Sequence, residues 1–185
     1  MGPLPRVIAF FDGQNIYHSA KTAFPGAGDD YDPKSLAGLI AQRQGWTLVQ
    51  TRFYTGVPDP KRDKNSADGW NARLQRMRHD GCVTVSRQLK YNLAGVPREK
   101  GIDVRLALDL IRLTLDRQMD VALIFSQDSD FVEVSNEVRR LNRQGGHFVR
   151  MASAYPRSPL ERNRRGIAQT DWHRFDRADW DSCHY

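Results

Sequence analysis

Several features are missing from this 185-residue chain, and each absence excludes a class. No stretch approaches eighteen consecutive apolar residues, so no helix is expected to span a membrane. Only two cysteines occur, Cys82 and Cys183, too few for a disulfide framework and poor grounds for a zinc site. No Gly-x-x-x-x-Gly-Lys-Ser/Thr loop is present, which excludes nucleotide hydrolysis by a P-loop. The first glutamate is Glu99, so no early strand ends in the glutamate that a topoisomerase-primase site requires. The first apolar run ends in Asp12-Gly13-Gln14 rather than Asp-x-Asp, which removes phosphotransfer of the haloacid-dehalogenase type. Met1 to Arg6 lead into that run without a basic leader or cleavage site, which argues against secretion and makes a reducing cytoplasm the expected location.

What is present is charge, unevenly distributed. The length suits one α/β domain and leaves little for a second core. Residues 52–100 hold eleven Lys/Arg against five Asp/Glu, and residues 139–165 hold eight Arg against the single acid Glu161. Everything else carries nine basic and sixteen acidic residues, although the whole chain is +6. Basic segments of this kind attract a polyanion, while carboxylates elsewhere could hold metal ions between protein and phosphate. Solvated helix faces explain the arginines equally well on charge alone.

Val7 to Phe11 is a continuous apolar run, the mark of a strand buried on both faces, and Val121–Phe125 is a second. Further strands are expected within Trp46–Tyr54, over Cys82–Arg87 and over His147–Met151. Helices are expected over Asn15–Phe24, residues 34–44, roughly Asp68–His79, Ile102–Leu115 and about Phe131–Asn142. The fourth of these shows the strongest period, with Val104, Leu108, Ile111 and Leu115 three or four apart. Gln88–Gly101 reads as a basic loop, and the tail from Pro156 shows no clear period. Alternating strands and helices imply a three-layer α/β/α domain around a mostly parallel sheet, with the ligand site beyond the carboxyl ends of the strands. The domain is placed at residues 1–155, with 156–185 an extension packed on it or trailing from it.

Asp12 and Asp128 each follow a buried-type strand, Asp130 lies two residues further, and Asp103 opens the long helix after Lys100-Gly101. If the strands are neighbours, these carboxylates converge, and their repulsion is relieved by a hard divalent cation, Mg²⁺ or Mn²⁺ rather than zinc. Such an ion can activate water and stabilise charge on a phosphodiester. Asn15 could orient water or the scissile phosphate, and Ser126 could support the carboxylates. Each residue also has a plainer role. Asp12 and Asp128 could be turn residues or N-caps, and Asp103 could complement a helix dipole. Asp109, on another side of its helix, is expected to pair with Arg105 or Arg112 and is left outside the site.

Phe11-Asp12-Gly13-Gln14-Asn15, Lys100-Gly101-Ile102-Asp103-Val104 and Ser126-Gln127-Asp128-Ser129-Asp130-Phe131 resemble, in order and spacing, the three motifs of the NYN domain family. That family is similar to the PIN-like nucleases and includes LabA-like bacterial proteins. The resemblance implies a PIN-like fold and a Mg²⁺- or Mn²⁺-dependent nuclease, an endoribonuclease acting on single-stranded or structured RNA. It implies metal binding by Asp12, Asp103 and Asp128, with Asp130 and Asn15 completing the catalytic set and Ser126 and Lys100 in support. Gln127 stands where the third motif often has glycine, there to crowd the loop or donate to substrate, and Glu133 stands where many members carry proline. Lys61, Arg62, Lys64, Lys90 and Arg98 are the expected nucleic-acid contacts, and Phe53, Tyr54, Trp70 and Tyr91 are aromatics that could stack on bases, although buried packing is the expected role for Phe53 and also suits Trp70. RNA is favoured over DNA, no membrane is involved, and a homodimer is possible. The alternative is a nucleic-acid-binding or adaptor module that keeps the fold without cleaving.

Overall fold

Val7 to Phe11 and Val121 to Phe125 are almost wholly removed from solvent, as unbroken apolar runs must be. In the computed structural model they form β1 (Arg6–Asp12) and β6 (Val121–Phe125), which pair in parallel with Phe11 opposite Phe125. The structure describes residues 2–28, 30–160, 163 and 165–185. Met1, Asp29, Glu161, Arg162 and Arg164, the last three part of the basic segment 139–165, lie outside the described residues.

The remaining elements are α1 (Gly13–Ala23), α2 (Pro33–Gln44), β2 (Thr47–Val57), α3 (Lys64–His79) and β3 (Val83–Gln88). A two-residue-per-strand hairpin follows, β4 (Lys90–Tyr91) and β5 (Pro97–Arg98). Then come α4 (Ile102–Leu115), β6, a 3-10 turn Ser129–Phe131, α5 (Val132–Arg143), β7 (Arg150–Pro156), β8 (Asp171–Phe175) and α6 (Arg177–Asp181). Six strands make one sheet in the order β3-β2-β1-β6-β7-β8, and every pairing in it is parallel. This is the expected three-layer α/β/α arrangement.

The chain winds outward from β1 to β3, then α4 carries it back across β1 to β6. Right-handed crossovers in opposite directions place their helices on opposite faces. Accordingly α1, α2, α3 and α6 pack on Val7, Ala9, Phe11, Leu123 and Phe125, while α4 and α5 pack on Ile8, Phe10, Ala122 and Ile124. The reversal between β1 and β6 opens the crevice in which doubly wound sheets bind ligands. No helix among the described residues is long and apolar enough to cross a membrane.

Two expectations change. Of the α4 positions named from its period, Val104 is 56%, Leu108 63% and Leu115 60% exposed, while Ile111 is half-buried against the second-face core. The buried stripe is Ile102, Leu106 and Leu110. Both sets satisfy helical spacing, and the second is the one fully buried against the sheet. The last strand of the 1–155 region begins at Arg150, three residues later than its expected start at His147, because Asn142 holds Val149 at both its N–H (3.0 Å) and its carbonyl (2.8 Å). Beyond it, a tail without period supplies β8 and α6, and Phe175 and Trp180 stack 6.0 Å apart within the first-face core.

Candidate metal and phosphate site

Asp12 ends β1 and caps α1, its Oδ1 accepting the Asn15 N–H at 3.2 Å. Its Oδ2 accepts from the Ser126 hydroxyl at 3.1 Å, and that hydroxyl oxygen in turn accepts the Asp128 N–H at 3.1 Å. Ser126 is fully buried, so one hydroxyl joins the ends of β1 and β6. Asp128 caps the 3-10 turn by accepting the Asp130 N–H at 2.9 Å. Both aspartates therefore serve as caps, and each capping bond engages a single carboxylate oxygen.

Glycine makes this approach possible. A Cβ on Gly13 would lie 2.8 Å from the Phe53 ring and 2.8 Å from the Tyr54 carbonyl, so α1 can start directly against β2 only with no side chain there. Gly101 adopts φ 75°, a left-handed conformation, and turns the chain into α4 so that Asp103 falls in its first turn.

Asp12, Glu99, Asp103 and Asp128 line one cavity of about 460 Å³, together with Gln14, Asn15, His18, Lys100 and Gly101. Burial is the main reason the Asp12 carboxyl is pushed up to about 6; the Asn15 and Ser126 hydrogen bonds oppose it, and the charges of Asp128 and Asp103 add to it. Glu99 is pushed up to about 7, again chiefly by burial, with Asp12 and Asp103 raising it further, although its Oε2 accepts the Gly56 N–H at 2.5 Å. Among the described residues none of the four carboxylates forms an ion pair.

The donors suit a hard divalent cation, being all oxygen. Among the described residues, however, no three acidic, histidine or cysteine side chains stand ready to grip one ion. That combination fits Mg²⁺, which keeps several waters, binds one or two carboxylates directly and is completed by substrate phosphate.

Asp12, Asn15, Asp103, Asp128 and Lys100 are thus brought to one cavity, with Ser126 behind it. Asp130 is exposed in the 3-10 turn and does not line the cavity. Lys61, Arg62, Lys64, Lys90 and Arg98 do not line it either. They sit on the connections after β2 and β3, where Lys90 pairs across the hairpin with Arg98 and the Arg62 guanidinium lies 4.5 Å from the Tyr91 ring. Lys64 is ion-paired with Asp68 at 2.5 Å. Phe53 and Tyr54 are buried, while Trp70 is half-buried.

Glu99 and His18 were not singled out from sequence; adjacency to Lys100-Gly101-x-Asp103 was the available signal for the first, and none existed for the second. Gln127 neither crowds the loop nor keeps its amide for substrate. Its Nε2 donates to the carbonyls of Asn163 and Arg165, both at 2.9 Å, and its N–H donates to Asn15 Oδ1 at 2.9 Å. It ties the arginine-rich tail to the site.

Fold and site define a class: a doubly wound α/β domain with a cluster of carboxylates at the crevice where winding reverses. The NYN domain model matches residues 6–157, a span containing every residue of the acidic cavity, and the chain belongs to the NYN domain family, whose fold is that of the PIN-like nucleases. The low amplitude and bright protein LabA of Synechococcus elongatus is 25% identical over 133 residues, which are 68% of this chain. The match spans 63% of that relative's length. A Vibrio parahaemolyticus protein of unknown function shares the fold with a TM-score of 0.61 at 18% identity, over 97% of this chain and 98% of the other.

Proposed function

We propose that this chain is a Mg²⁺- or Mn²⁺-dependent ribonuclease that hydrolyses phosphodiester bonds within RNA. The observation that carries the proposal is the convergence of Asp12, Glu99, Asp103 and Asp128 on one cavity without an ion-paired cation among the described residues. A pure binding module has no use for such a cluster facing a polyanion, since it repels phosphate unless a cation intervenes.

Asp12, Asp103 and Asp128 are the residues that would hold the ion. When bound, the ion supplies positive charge that stabilises the phosphodiester during attack and makes water a better nucleophile. Ser126 fixes Asp12 and Asp128 relative to each other. Asn15, held by Gln127 through its Oδ1, keeps an amide nitrogen for a phosphate oxygen, and the Lys100 ammonium on the same wall favours approach of the anion. The backbone N–H of Asp130 donates to Asp128 Oδ1 and so helps hold that carboxylate, while the exposed Asp130 side chain stands outside the cavity. Lys61, Arg62, Lys64, Lys90 and Arg98 contact phosphates further along the strand.

The test is incubation of purified protein with labelled single-stranded RNA, duplex RNA and DNA in Mg²⁺, Mn²⁺ or chelator. RNA should be cut in either metal and not in chelator. Absence of cleavage across all substrates in both metals overturns the proposal in favour of a binding module.

A further inference from the structure

A second cavity, of about 660 Å³, adjoins the acidic one and shares Gln14 and His18 with it. Its volume falls in the range that holds a nucleotide-sized ligand. Gly13 forms part of its floor, and Tyr17, Trp70 and Arg73 form its walls. Arg73 and Trp70 are one turn apart on α3, with the guanidinium 5.2 Å from the Trp70 ring, 5.2 Å from Tyr31 and 6.0 Å from Phe53.

Arg73 has an unusual environment. Among the described residues its buried Nε and Nη2 have no hydrogen-bond partner and no carboxylate pairs with it. Its neighbour Arg76, on the same groove, does have a carboxylate partner, Asp30 at 2.7 Å, and lies 4.7 Å from the Tyr185 ring centroid. A guanidinium held by aromatic faces rather than by a carboxylate keeps its charge and donors for a ligand, and buried donors without acceptors favour one that brings oxygens.

We propose that this groove seats one unpaired nucleotide of the substrate strand next to the scissile phosphate, the base stacking on the Trp70–Arg73 wall and a phosphate or base oxygen accepting from Arg73. The ligand class follows from the chemistry. An aromatic face beside a planar cation suits a flat base carried on an anion, and it is available only to a base that has left its stack. The site therefore selects single-stranded or splayed-out nucleotides over continuous duplex. The proposal rests on the nuclease reading for the position of the scissile phosphate, whereas binding in the groove does not depend on cleavage.

The test is binding of a fluorescent single-stranded oligoribonucleotide, a duplex of equal length and an abasic ribose-phosphate strand, all in chelator, with cleavage assayed separately. Trp70→Ala and Arg73→Gln should each weaken single-strand binding about tenfold. Duplex binding should change less than about twofold, and the abasic strand should bind wild type and Trp70→Ala alike. Trp70→Phe keeps an aromatic face and should restore most of the affinity, which separates loss of stacking from loss of fold; melting temperatures of all variants are compared alongside. Equal losses for single strand and duplex, failure of Trp70→Phe to restore binding while it folds, or no loss in either variant overturns the groove. If wild type cuts nothing but its single-strand binding still depends on Trp70, the nuclease reading fails and the groove stands.

Discussion

Asp12 ends a strand of the sheet and Asp109 lies on a helix packed beneath it, both largely withdrawn from water, yet their carboxyls shift in opposite directions. Asp109, on α4, accepts from Arg105 at 3.0 Å on one oxygen, and from Arg52 at 3.0 Å and the Tyr54 hydroxyl at 2.9 Å on the other. Burial alone would raise its carboxyl, but those bonds and the Arg52 charge outweigh burial and hold it below the usual carboxylate range. Asp12 has two hydrogen bonds and, among the described residues, no cation, and it rises to about 6. Burial by itself therefore does not mark a site. The mark is a desolvated carboxylate among other carboxylates for which the fold provides no counter-charge, because that charge has to come from outside. Asp109 is a finished structural unit, and Asp12 is an unfinished one.

The largest expected effect follows from removing charge at the unfinished end. Asp12→Asn and Asp128→Asn keep the size and capping oxygen of each residue but weaken a ligand for a hard cation. Cleavage in Mg²⁺ should fall on the order of a hundredfold or more. In chelator, melting temperature should hold or rise, because repulsion is relieved, and nucleic-acid binding should hold or tighten. Both aspartates do cap, so the discriminating readout is activity. Full metal-dependent cleavage in both variants would reduce them to caps.

Asp109→Ala should do the reverse, damaging the fold and sparing the chemistry. It strands Arg52, whose side chain is 14% exposed, together with the half-exposed Arg105. The cost should be about 3 kcal/mol, the low end for breaking a buried pair because Arg105 keeps some water. For a chain of this size that is a fall of about 6–12 °C in melting temperature, with cleavage per folded molecule unchanged. Because the folded carboxyl lies below its unfolded value, its contribution is complete above about pH 4 and lost as pH falls through the folded value. The stability gap between wild type and variant should therefore shrink below about pH 4. A gap that persists undiminished into strong acid would show that packing rather than charge holds this cluster.

Legibility of the molecule from sequence followed the same divide. Asp12, Asp128 and Asp103 were readable because an apolar run that stops at Asp-Gly or Ser-x-Asp, and a Lys-Gly-x-Asp helix start, fix where a side chain must lie in a parallel sheet. For Asp109 the sequence points to the helical partner Arg105 but not to Arg52 and Tyr54, since cross-element partners depend on register. Glu99 escaped because no apolar run precedes it: the strand it follows, β5, is two exposed residues long, and the third dimension folds it against Gly56. Helix α4 is legible as a helix but its buried face is not, because it carries two apolar stripes at helical spacing and period alone cannot choose between them. The Asp171–Phe175 strand was invisible for another reason. It is an edge strand with Trp172 43% exposed and only Phe175 fully inside, so it has almost no apolar signature.

The smallest effect concerns the basic loop after β2, which lies away from both carboxylate environments. If Lys61, Arg62 and Lys64 contact phosphate, affinity for single-stranded RNA falls steeply with salt, and each lost contact flattens the log–log slope by about 0.7. The three side chains are not equivalent. Lys64 is already paired with Asp68, Arg62 rests on Tyr91, and Lys61 has no side-chain ion pair among the described residues. Replacing all three with alanine should therefore flatten the slope by about 1–2 units, less than three full contacts would give, because Lys64 must exchange one anion for another. Cleavage at saturating RNA should be unchanged, since none of the three reaches the acidic cavity. Titrations from low to moderate salt in chelator, with wild type alongside, measure the slope directly. An identical slope in the triple variant would make this loop solvated surface and leave the β4–β5 hairpin, with Lys90 and Arg98, as the remaining phosphate contacts.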